Sequence, residues 1–402
     1  MCSAAPPCAT SGPDLGLIET AMHTASQPLA IEQAWAWLEP QLPRFGITRV
    51  ADVTGLDELG LPVSVAVRPL SRALSVSQGK GLTAEHARVS AAMESIETWH
   101  AERICAPLYQ GNAEQARADG LNLLDPAAFA HRATAVAPAA ISTAYIEVQR
   151  WGRDETAWVP FDCVSTDFCF DDDDPPVWMR TSNGLAAGST REQALSHAVA
   201  ELVERDTVQR WLAGEGFEAP AFALQPGTAP RLDALLARCE AAGLVTLVWP
   251  LAGPLPCYAV QLIGRAGRAR DVGAFSGYGC HAQAMLALEA AMLEAVQSRL
   301  TLISGARDDM LLDEFERCRN DAWVEGLLAR HAHAPALPLP TGGEPMDAHA
   351  LVCHVEDALQ RPLYWLDLTR ADIGIPVVRA LMPGLRTLGM ERRYYCLREA
   401  QP

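Results

Sequence analysis

The sequence predicts a single domain of mixed α/β (α+β) structure. Residues 61–78 alternate apolar and small polar side chains, which is the period of half-buried strands. Three times along the chain, a stretch that contains glycine leads into a segment with helical spacing of its polar residues. The 402 residues suffice for one large domain or two ordinary ones, and no linker clearly divides them. We therefore expect one domain in which several helices share a composite site.

Two helices are predicted in the first part of the chain, one before and one after the strands at residues 61–78. A short amphipathic helix is predicted over residues 31–42, and Pro43 helps to end it. A second helix follows Gly81 and continues to about Arg103. Thr83 is its N-cap, because a threonine hydroxyl accepts a hydrogen bond from a free N–H of the first turn.

Two further helices repeat this arrangement. The stretch Asn183–Gly188 leads into a capping box, with Thr190 at the N-cap, and into a helix that reaches about Leu212. A third glycine-bearing stretch, Gly277–His281, precedes a helix over residues 282–303. All three helices are expected to follow a glycine-bearing loop and to carry polar residues on one face.

The remaining segments read as strands, turns and connections. Asp171–Asp174 is expected to be an exposed acidic turn, and the Pro- and Gly-rich residues 334–346 a surface connection. The other predicted strands cover residues 143–150, 157–164, 257–264, 363–368 and 376–382.

Composition excludes several classes of protein. The formal net charge of −17 argues against a nucleic-acid partner, since phosphate binding needs clustered positive charge. No run approaches the roughly 18 apolar residues of a membrane span, and the first residues lack the pattern of a signal peptide. The 11 cysteines are scattered without CxxC pairs, which favours free thiols in a reducing cytoplasm.

Two pairs of glutamates stand out by their spacing. The two members of each pair are three positions apart in the sequence. The pairs are Glu94 with Glu97 and Glu201 with Glu204. Residues three apart share one face of a helix, where like charges repel unless a cation lies between them. Two such helices facing each other would place four carboxylates around a shared cation, most simply Mg²⁺.

The chain contains one lysine, Lys80, so the other 31 of its 32 basic residues are arginines. A lysine ammonium is a compact point charge suited to a phosphate, and Gly79 and Gly81 on either side would let the backbone approach a ligand. Together with the glutamate pairs, this predicts a metal–nucleotide site.

Four stretches together resemble the YcaO-domain family. They lie at residues 75–102, 182–206, 293–309 and 372–385, in the family's order. The resemblance implies ATP-dependent modification of a peptide backbone amide, in which the amide oxygen is phosphorylated and a nucleophile then attacks the amide carbon. A Cys, Ser or Thr side chain of the peptide gives an azoline, an external sulfide equivalent gives a thioamide, and an amine gives an amidine.

The resemblance also implies an organisation and a set of site residues. It places one YcaO-like domain over residues 46–390, between an N-terminal extension with a short helix over 1–45 and a tail over 391–402. The implied Mg²⁺ ligands are Glu94, Glu97, Glu201 and Glu204. The implied nucleotide-binding residues are Lys80, Ser182, Asn183, Arg205, Glu294 and Gln297. The residues alone leave simpler interpretations open, namely a surface position for Lys80 and an i,i+4 pair between Arg205 and Glu201.

The sequence departs from the family's pattern in three ways. Thr98 and Ala290 stand where relatives often carry arginine. Relatives also carry basic residues in the N-terminal segment that reach the phosphates, whereas the first Arg or Lys of this chain is Arg44. Each departure removes positive charge from the expected triphosphate position. One hypothesis of a different class is therefore a non-catalytic subunit that binds peptide or a partner.

Among enzymes of this kind, the segment at residues 46–69 and the end of the chain are similar to stand-alone members encoded with TfuA-type partners, which are linked to thioamide formation. The implied partners are a ribosomally made precursor peptide, a TfuA-like protein and a separate leader-peptide-binding protein. Azoline-forming cyclodehydration is the alternative. Homodimerisation is expected only because it is a common arrangement among soluble enzymes.

Overall fold

The structure is a computed structural model. It describes residues 31–170, 175–227, 229–265, 267–307, 312–337, 343–387 and 395–396. The acidic turn predicted at Asp171–Asp174, residues 1–30 of the N-terminal extension and most of the tail at 391–402 lie outside the described residues.

Helices and strands alternate irregularly along these residues. The α-helices are α1 (Ile31–Leu38), α2 (Ala84–Ala101), α3 (Ala113–Ala118), α4 (Arg191–Ala213), α5 (Pro230–Ala241), α6 (Gly267–Val272), α7 (Ala284–Ser304), α8 (Leu312–Cys318), α9 (Asp321–His333) and α10 (Ala348–Leu359). The strands are β1 (Arg49–Asp52), β2 (Val63–Val67), β3 (Val76–Lys80), β4 (Leu108–Gly111), β5 (His131–Arg132), β6 (Thr143–Arg150), β7 (Thr156–Pro160), β8 (Leu185–Ala187), β9 (Phe222–Ala223), β10 (Leu244–Leu251), β11 (Cys257–Gly264), β12 (Ala274–Cys280), β13 (Tyr364–Asp367), β14 (Val377–Leu381) and β15 (Tyr395–Cys396). This confirms the mixed α/β fold in a single domain.

The strands pair antiparallel in several sheets. A three-stranded sheet has the order β1-β2-β3, a four-stranded sheet the order β12-β11-β10-β9, and a six-stranded sheet the order β4-β6-β13-β14-β8 with β7 paired to β6. Helix α2 packs on β3 and β2, α4 on β14 and β8, and α7 on β12 and β11. Three helices thus lie on three sheets, and their apolar faces form the core.

The predicted helix starts agree with the structure. Thr83 caps α2 by accepting a hydrogen bond from the His86 N–H, and Thr190 caps α4 by accepting one from the Gln193 N–H. The capping box is altered in one respect. The Gln193 side chain accepts from the Ser189 N–H at 2.8 Å, one residue before the N-cap.

Two predicted elements end earlier than expected. The first helix stops at Leu38 and continues as a 3₁₀-helix over Glu39–Phe45, because Pro40 and Pro43 cannot donate α-helical hydrogen bonds. The strand predicted over 157–164 ends at Pro160, and a 3₁₀ turn follows it.

The glycine-bearing stretches before α2 and α7 are strands, so the prediction of glycine loops there was wrong. Gly79 lies in β3, and a Cβ on it would come within 2.0 Å of the Ala91 backbone nitrogen on α2. Gly277 lies in β12, where a Cβ would come within 2.2 Å of the Ala291 carbonyl oxygen on α7. These glycines let a helix backbone, and not a ligand, approach the strand.

Buried ion pairs join distant segments of the fold. The Arg299 Nε donates to Asp57 at 2.8 Å, and both side chains are almost fully buried. The Arg68 guanidinium bonds both Glu102 oxygens and also donates to the Thr98 hydroxyl at 3.0 Å. Arg299 is therefore structural and does not face the predicted site. Within the described residues, no helix combines the length and apolar character that crossing a membrane requires.

The glycine contacts give a stability prediction. Gly79→Ala should lower the free energy of unfolding by roughly 1–3 kcal/mol or more, because backbone atoms of α2 occupy the space that the methyl group needs. Gly326→Ala, in α9 with open space around the added methyl, should raise it by about 0.5–1 kcal/mol. Urea unfolding followed by circular dichroism measures both. Equal effects would contradict the assigned packing.

Candidate active site

A large cavity of about 1410 Å³ lies where the three helices meet. Each helix contributes one face with a repeat of three or four residues, as one side of a helix requires. Nine of the ten predicted site residues line it, namely Lys80, Glu94, Glu97, Ser182, Asn183, Glu201, Arg205, Glu294 and Gln297. The tenth, Glu204, lies directly behind this surface, with an oxygen 3.7 Å from the Arg205 guanidinium.

The α2 glutamates are fixed by backbone groups of two different sheets. Glu94 accepts a hydrogen bond from the Gln78 N–H of β3 at 2.9 Å, and Glu97 accepts one from the Ala187 N–H of β8 at 2.8 Å. Burial raises the pKa of Glu94, and it raises the pKa of Glu97 well above its usual range. Neighbouring carboxylates add to both shifts. Each carboxylate is therefore held in place by a backbone N–H, but the nearby donors and cations do not offset the effect of burial on its negative charge.

The α4 group combines two glutamates with an arginine. The Arg205 guanidinium lies 3.6 Å from a Glu201 oxygen as well as near Glu204, so the simple i,i+4 pair exists but extends to a third residue. Burial raises the pKa of Glu201, and it raises that of Glu204 to about 7 despite the opposing effect of Arg205. The pKa of Arg205 itself lies above its ordinary value, because the surrounding carboxylates outweigh the effect of burial.

The α7 group receives the single lysine. The Lys80 ammonium lies 3.0 Å from a Glu294 oxygen, and the other Glu294 oxygen accepts from the Tyr278 N–H at 3.3 Å. Burial opposes ionisation of Glu294, but Lys80 and Arg205 together bring its pKa below the usual value. Gln297 donates to the Gln78 carbonyl at 3.4 Å. Lys80 is therefore a cavity residue and not an isolated surface charge.

Ser182 and Asn183 belong to a tight turn that enters β8. Gly184 takes the left-handed conformation there, with φ of +74°, and its N–H bonds the Glu201 carboxylate. The amide oxygen of Asn183 is buried and has no hydrogen-bond partner in the part of the chain that the structure describes. A buried acceptor without a partner is costly, which fits a site that receives a donor or a cation.

The donors suit Mg²⁺, but they do not form a closed cage. Within the described part of the chain, no group of three His, Cys, Asp or Glu side chains converges closely enough to hold a metal ion. The picture of four carboxylates around one shared cation is therefore not observed. Mg²⁺ is commonly bound by one or two carboxylates plus substrate phosphates, and hard carboxylate oxygens beside an unpartnered amide oxygen fit that mode.

The structure adds cations that the sequence motifs did not reveal. The cationic side chains lining the cavity in the described residues are Lys80, Arg180, Arg205, Arg231 and Arg307. A guanidinium nitrogen of Arg231 in α5 lies 2.6 Å from a carboxylate oxygen of Glu289. Glu289 precedes Ala290, which stands where relatives usually carry arginine. Arg307 helps to lower the pKa of Glu94, although burial prevails. Arg231 and Arg307 were not predicted as site residues, although Arg307 lies within the 293–309 stretch, because only the packing of α5 and of the segment after α7 brings them to the cavity.

Two histidines, His197 and His281, lie close enough for the charge of one to affect the other. His197 lines the cavity one turn before Glu201, and it bonds the Ala187 backbone. Burial lowers its pKa, as it does that of His281, so both imidazoles are neutral near pH 7.

The raised pKa of Glu204 gives a pH prediction in the absence of Mg²⁺. A group that is protonated more readily in the folded state makes the protein more stable at low pH, so its contribution falls as the pH rises from about 4.5 to about 7. Glu204→Gln should flatten this part of the curve of unfolding free energy against pH, by on the order of 1–3 kcal/mol. Glu114→Gln, at an exposed position, should leave it unchanged. An unaltered slope in Glu204→Gln would show that this carboxylate is not shifted.

Comparison with known proteins identifies the family. The profile described as YcaO cyclodehydratase, ATP- and Mg²⁺-binding, matches residues 78–386. An uncharacterised protein of Mycobacterium tuberculosis is 33% identical over 401 residues, which cover 90% of this chain and 82% of that protein. An uncharacterised protein from the tfuA 3′ region of Rhizobium leguminosarum bv. trifolii is 31% identical over 384 residues, covering 88% and 87%.

Solved structures share the fold. YcaO from Methanopyrus kandleri, bound with AMPPCP and Mg²⁺, superposes with a TM-score of 0.67 at 23% identity over 93% of this chain and 96% of that one. A heterocyclase in complex with substrate and cofactor gives a TM-score of 0.71 at 19% identity over 92% of this chain, which spans only 56% of the heterocyclase. The chain therefore belongs to the YcaO cyclodehydratase family, which is described as binding ATP and Mg²⁺.

Proposed function

We propose that this protein activates a backbone amide of a ribosomally made peptide by ATP-dependent phosphorylation of the amide oxygen, and that the product is a thioamide. The observation that carries the proposal is that half-buried glutamates of three helices face Lys80 and Arg205 in one large cavity. Catalysis of phosphoryl transfer consists mostly of positioning the reactants and neutralising charge. Carboxylates that can hold Mg²⁺, together with cationic side chains, are suited to both.

The glutamates and the cations have separate roles in this proposal. One or two carboxylates at a time from Glu94, Glu97, Glu201 and Glu204 would hold Mg²⁺ together with the nucleotide phosphates, and the ion would neutralise phosphate charge when bound. Lys80 and Arg205 would face the phosphates, and Glu294 would keep both cations oriented toward the cavity. Ser182, Asn183 and Gln297 would shape the pocket around the nucleotide. The raised pKa values of the metal glutamates support this assignment, because a cation would stabilise the ionised forms that burial now disfavours.

Charge at the cavity argues against a non-catalytic scaffold. The cavity is lined by as many cationic side chains as glutamates within the described residues, and the glutamates are Glu94, Glu97, Glu201, Glu289 and Glu294. Arg231 lies beside Ala290, where the expected arginine is absent, but it is paired with Glu289, just as Arg68 next to Thr98 is paired with Glu102. Positive charge toward the phosphates is therefore assigned to Lys80 and Arg205.

The relative from a tfuA 3′ region supports a TfuA-like partner and hence sulfur as the incoming atom. We propose a precursor peptide as substrate, with a separate protein that recognises its leader. The heterocyclase neighbours favour the second candidate, azoline formation by a side chain of the peptide. Mass spectrometry of the product separates the two, since a thioamide exchanges oxygen for sulfur and an azoline loses the mass of one water.

Calorimetric titration with a non-hydrolysable ATP analogue tests the site directly. Binding should require Mg²⁺, because the carboxylates repel phosphate unless a cation lies between them.

Glu204→Gln should abolish peptide-dependent ATP turnover while the circular dichroism spectrum stays unchanged. Glu192→Gln, on the exposed side of the same helix, is the matched control and should turn over ATP at the parental rate.

Two results would count against this proposal. Parental turnover in Glu204→Gln would remove this residue from the site. No binding of the analogue at millimolar concentration, with Mg²⁺ and the partner present, would favour the scaffold hypothesis.

A further inference from the structure

A second, small cavity of about 60 Å³ adjoins the large one. Met179, Thr181, Asn183 and Thr387 line both cavities, so the two share a wall. The small cavity is completed by Arg379 of β14 and by Cys163, together with apolar side chains. Its volume accommodates about two water molecules or one small anion, and it is too small for a phosphate ester or a peptide.

Arg379 is a buried cation that has no ion-pair partner among the described residues. Its side chain is 2% exposed, and its guanidinium donates to the carbonyl oxygens of Thr181 and Cys163, each at 2.8 Å. Among the described residues, no carboxylate oxygen lies within 4.0 Å of it, and its Nε–H has no hydrogen-bond partner. Burial brings the pKa of Arg379 down to about 10, although Glu201 opposes the shift from a distance. Buried charges are normally paired, so this cation lacks a close anion.

The remaining wall favours a small and weakly hydrated anion. The unpartnered Asn183 amide oxygen, at the boundary with the large cavity, is an acceptor that suits a donor or cation on that side and gives the anion no hydrogen bond. Cys163 does not supply the missing negative charge, because burial raises the pKa of its thiol well above the ordinary value. The other lining groups include the Met179 thioether and the side chains of Phe129 and Leu381. A guanidinium N–H in such surroundings binds a soft monovalent ion more readily than a strongly hydrated one.

We propose that this Arg379 cavity binds a small monovalent anion, and that during the reaction this anion is hydrosulfide. The inference rests on the proposed function and names the position of its nucleophile. Hydrosulfide at the shared wall would attack the amide carbon held in the large cavity. The carbon–sulfur bond forms, the carbon–oxygen bond breaks, and phosphate leaves with the former amide oxygen. The S–H proton ends on the amide nitrogen and replaces the proton lost on phosphorylation, so no oxidant or reductant is needed.

Anion binding can be tested without any reaction. Crystals of the full chain soaked in sodium bromide and measured at the bromine absorption edge should show an anomalous peak within hydrogen-bonding distance of Arg379 Nε. Arg379→Met should lose the peak. Arg361→Met is the matched control, because Arg361 also donates to a carbonyl, that of Pro383 at 2.8 Å, but lines neither cavity. A water molecule without anomalous signal in the parental crystals would overturn the proposal, whether or not the variants fold.

A kinetic test addresses the role in the reaction. With the precursor peptide and partner present, Arg379→Lys should raise the KM for sulfide by about tenfold or more and leave the KM for ATP nearly unchanged, since lysine keeps the charge but not the forked geometry. Equal changes in both constants would assign Arg379 a structural role only. A bromide peak in a protein that binds no Mg²⁺–ATP would support the anion cavity and reject the proposed enzyme. Mg²⁺–ATP binding without a bromide peak would support the proposed enzyme and reject the anion cavity.

Discussion

Four half-buried glutamates each accept a hydrogen bond from a backbone N–H of a neighbouring strand or turn, and the geometry of the site depends on these bonds. Glu94 bonds to β3, Glu97 to β8, Glu201 to the turn before β8 and Glu294 to β12. Because the donors belong to three different sheets, the bonds fix α2, α4 and α7 relative to one another as well as the carboxylates themselves. An N–H neutralises only part of a carboxylate charge, so the position is set while a demand for cations remains.

The strands can donate in this way because the helices lie unusually close to them. Gly79, Gly277 and Gly279 have no side chain to separate strand from helix, and a Cβ at any of them would overlap helix backbone. The sequence motifs of the site are therefore partly motifs of packing. The glycines on either side of the lysine resemble a ligand-binding loop in sequence, yet a Cβ at either of them would collide with α2, so close packing of that helix accounts for them.

Local patterns were sufficient to predict the three helices, the threonine caps of α2 and α4, Lys80 and the two glutamate pairs. The family resemblance implied the other site residues, and nine of the ten residues predicted in these two ways line the cavity. These features depend on spacing within one segment, which the sequence displays directly. Three contributions were not predictable on that basis. The glycine stretches were assigned to loops because their role depends on a helix packed above them. Arg231 reaches the cavity from a helix that no motif covers, and Arg379 reads as one polar residue in an apolar strand. Long-range packing brings each of them to the site.

The arrangement of the two cavities bears on which nucleophile the protein uses. In azoline formation the nucleophile is a side chain of the peptide, so it enters with the substrate and needs no binding site of its own. In thioamide formation the sulfur arrives as a separate small anion, which must be held near the amide carbon and kept apart from the carboxylates. Arg379 provides a cation for that purpose, and the Thr181–Asn183 wall lies between it and the nucleotide-facing groups. A buried cation is costly to maintain without a counter-ion, so its presence beside the active cavity favours the thioamide assignment over cyclodehydration.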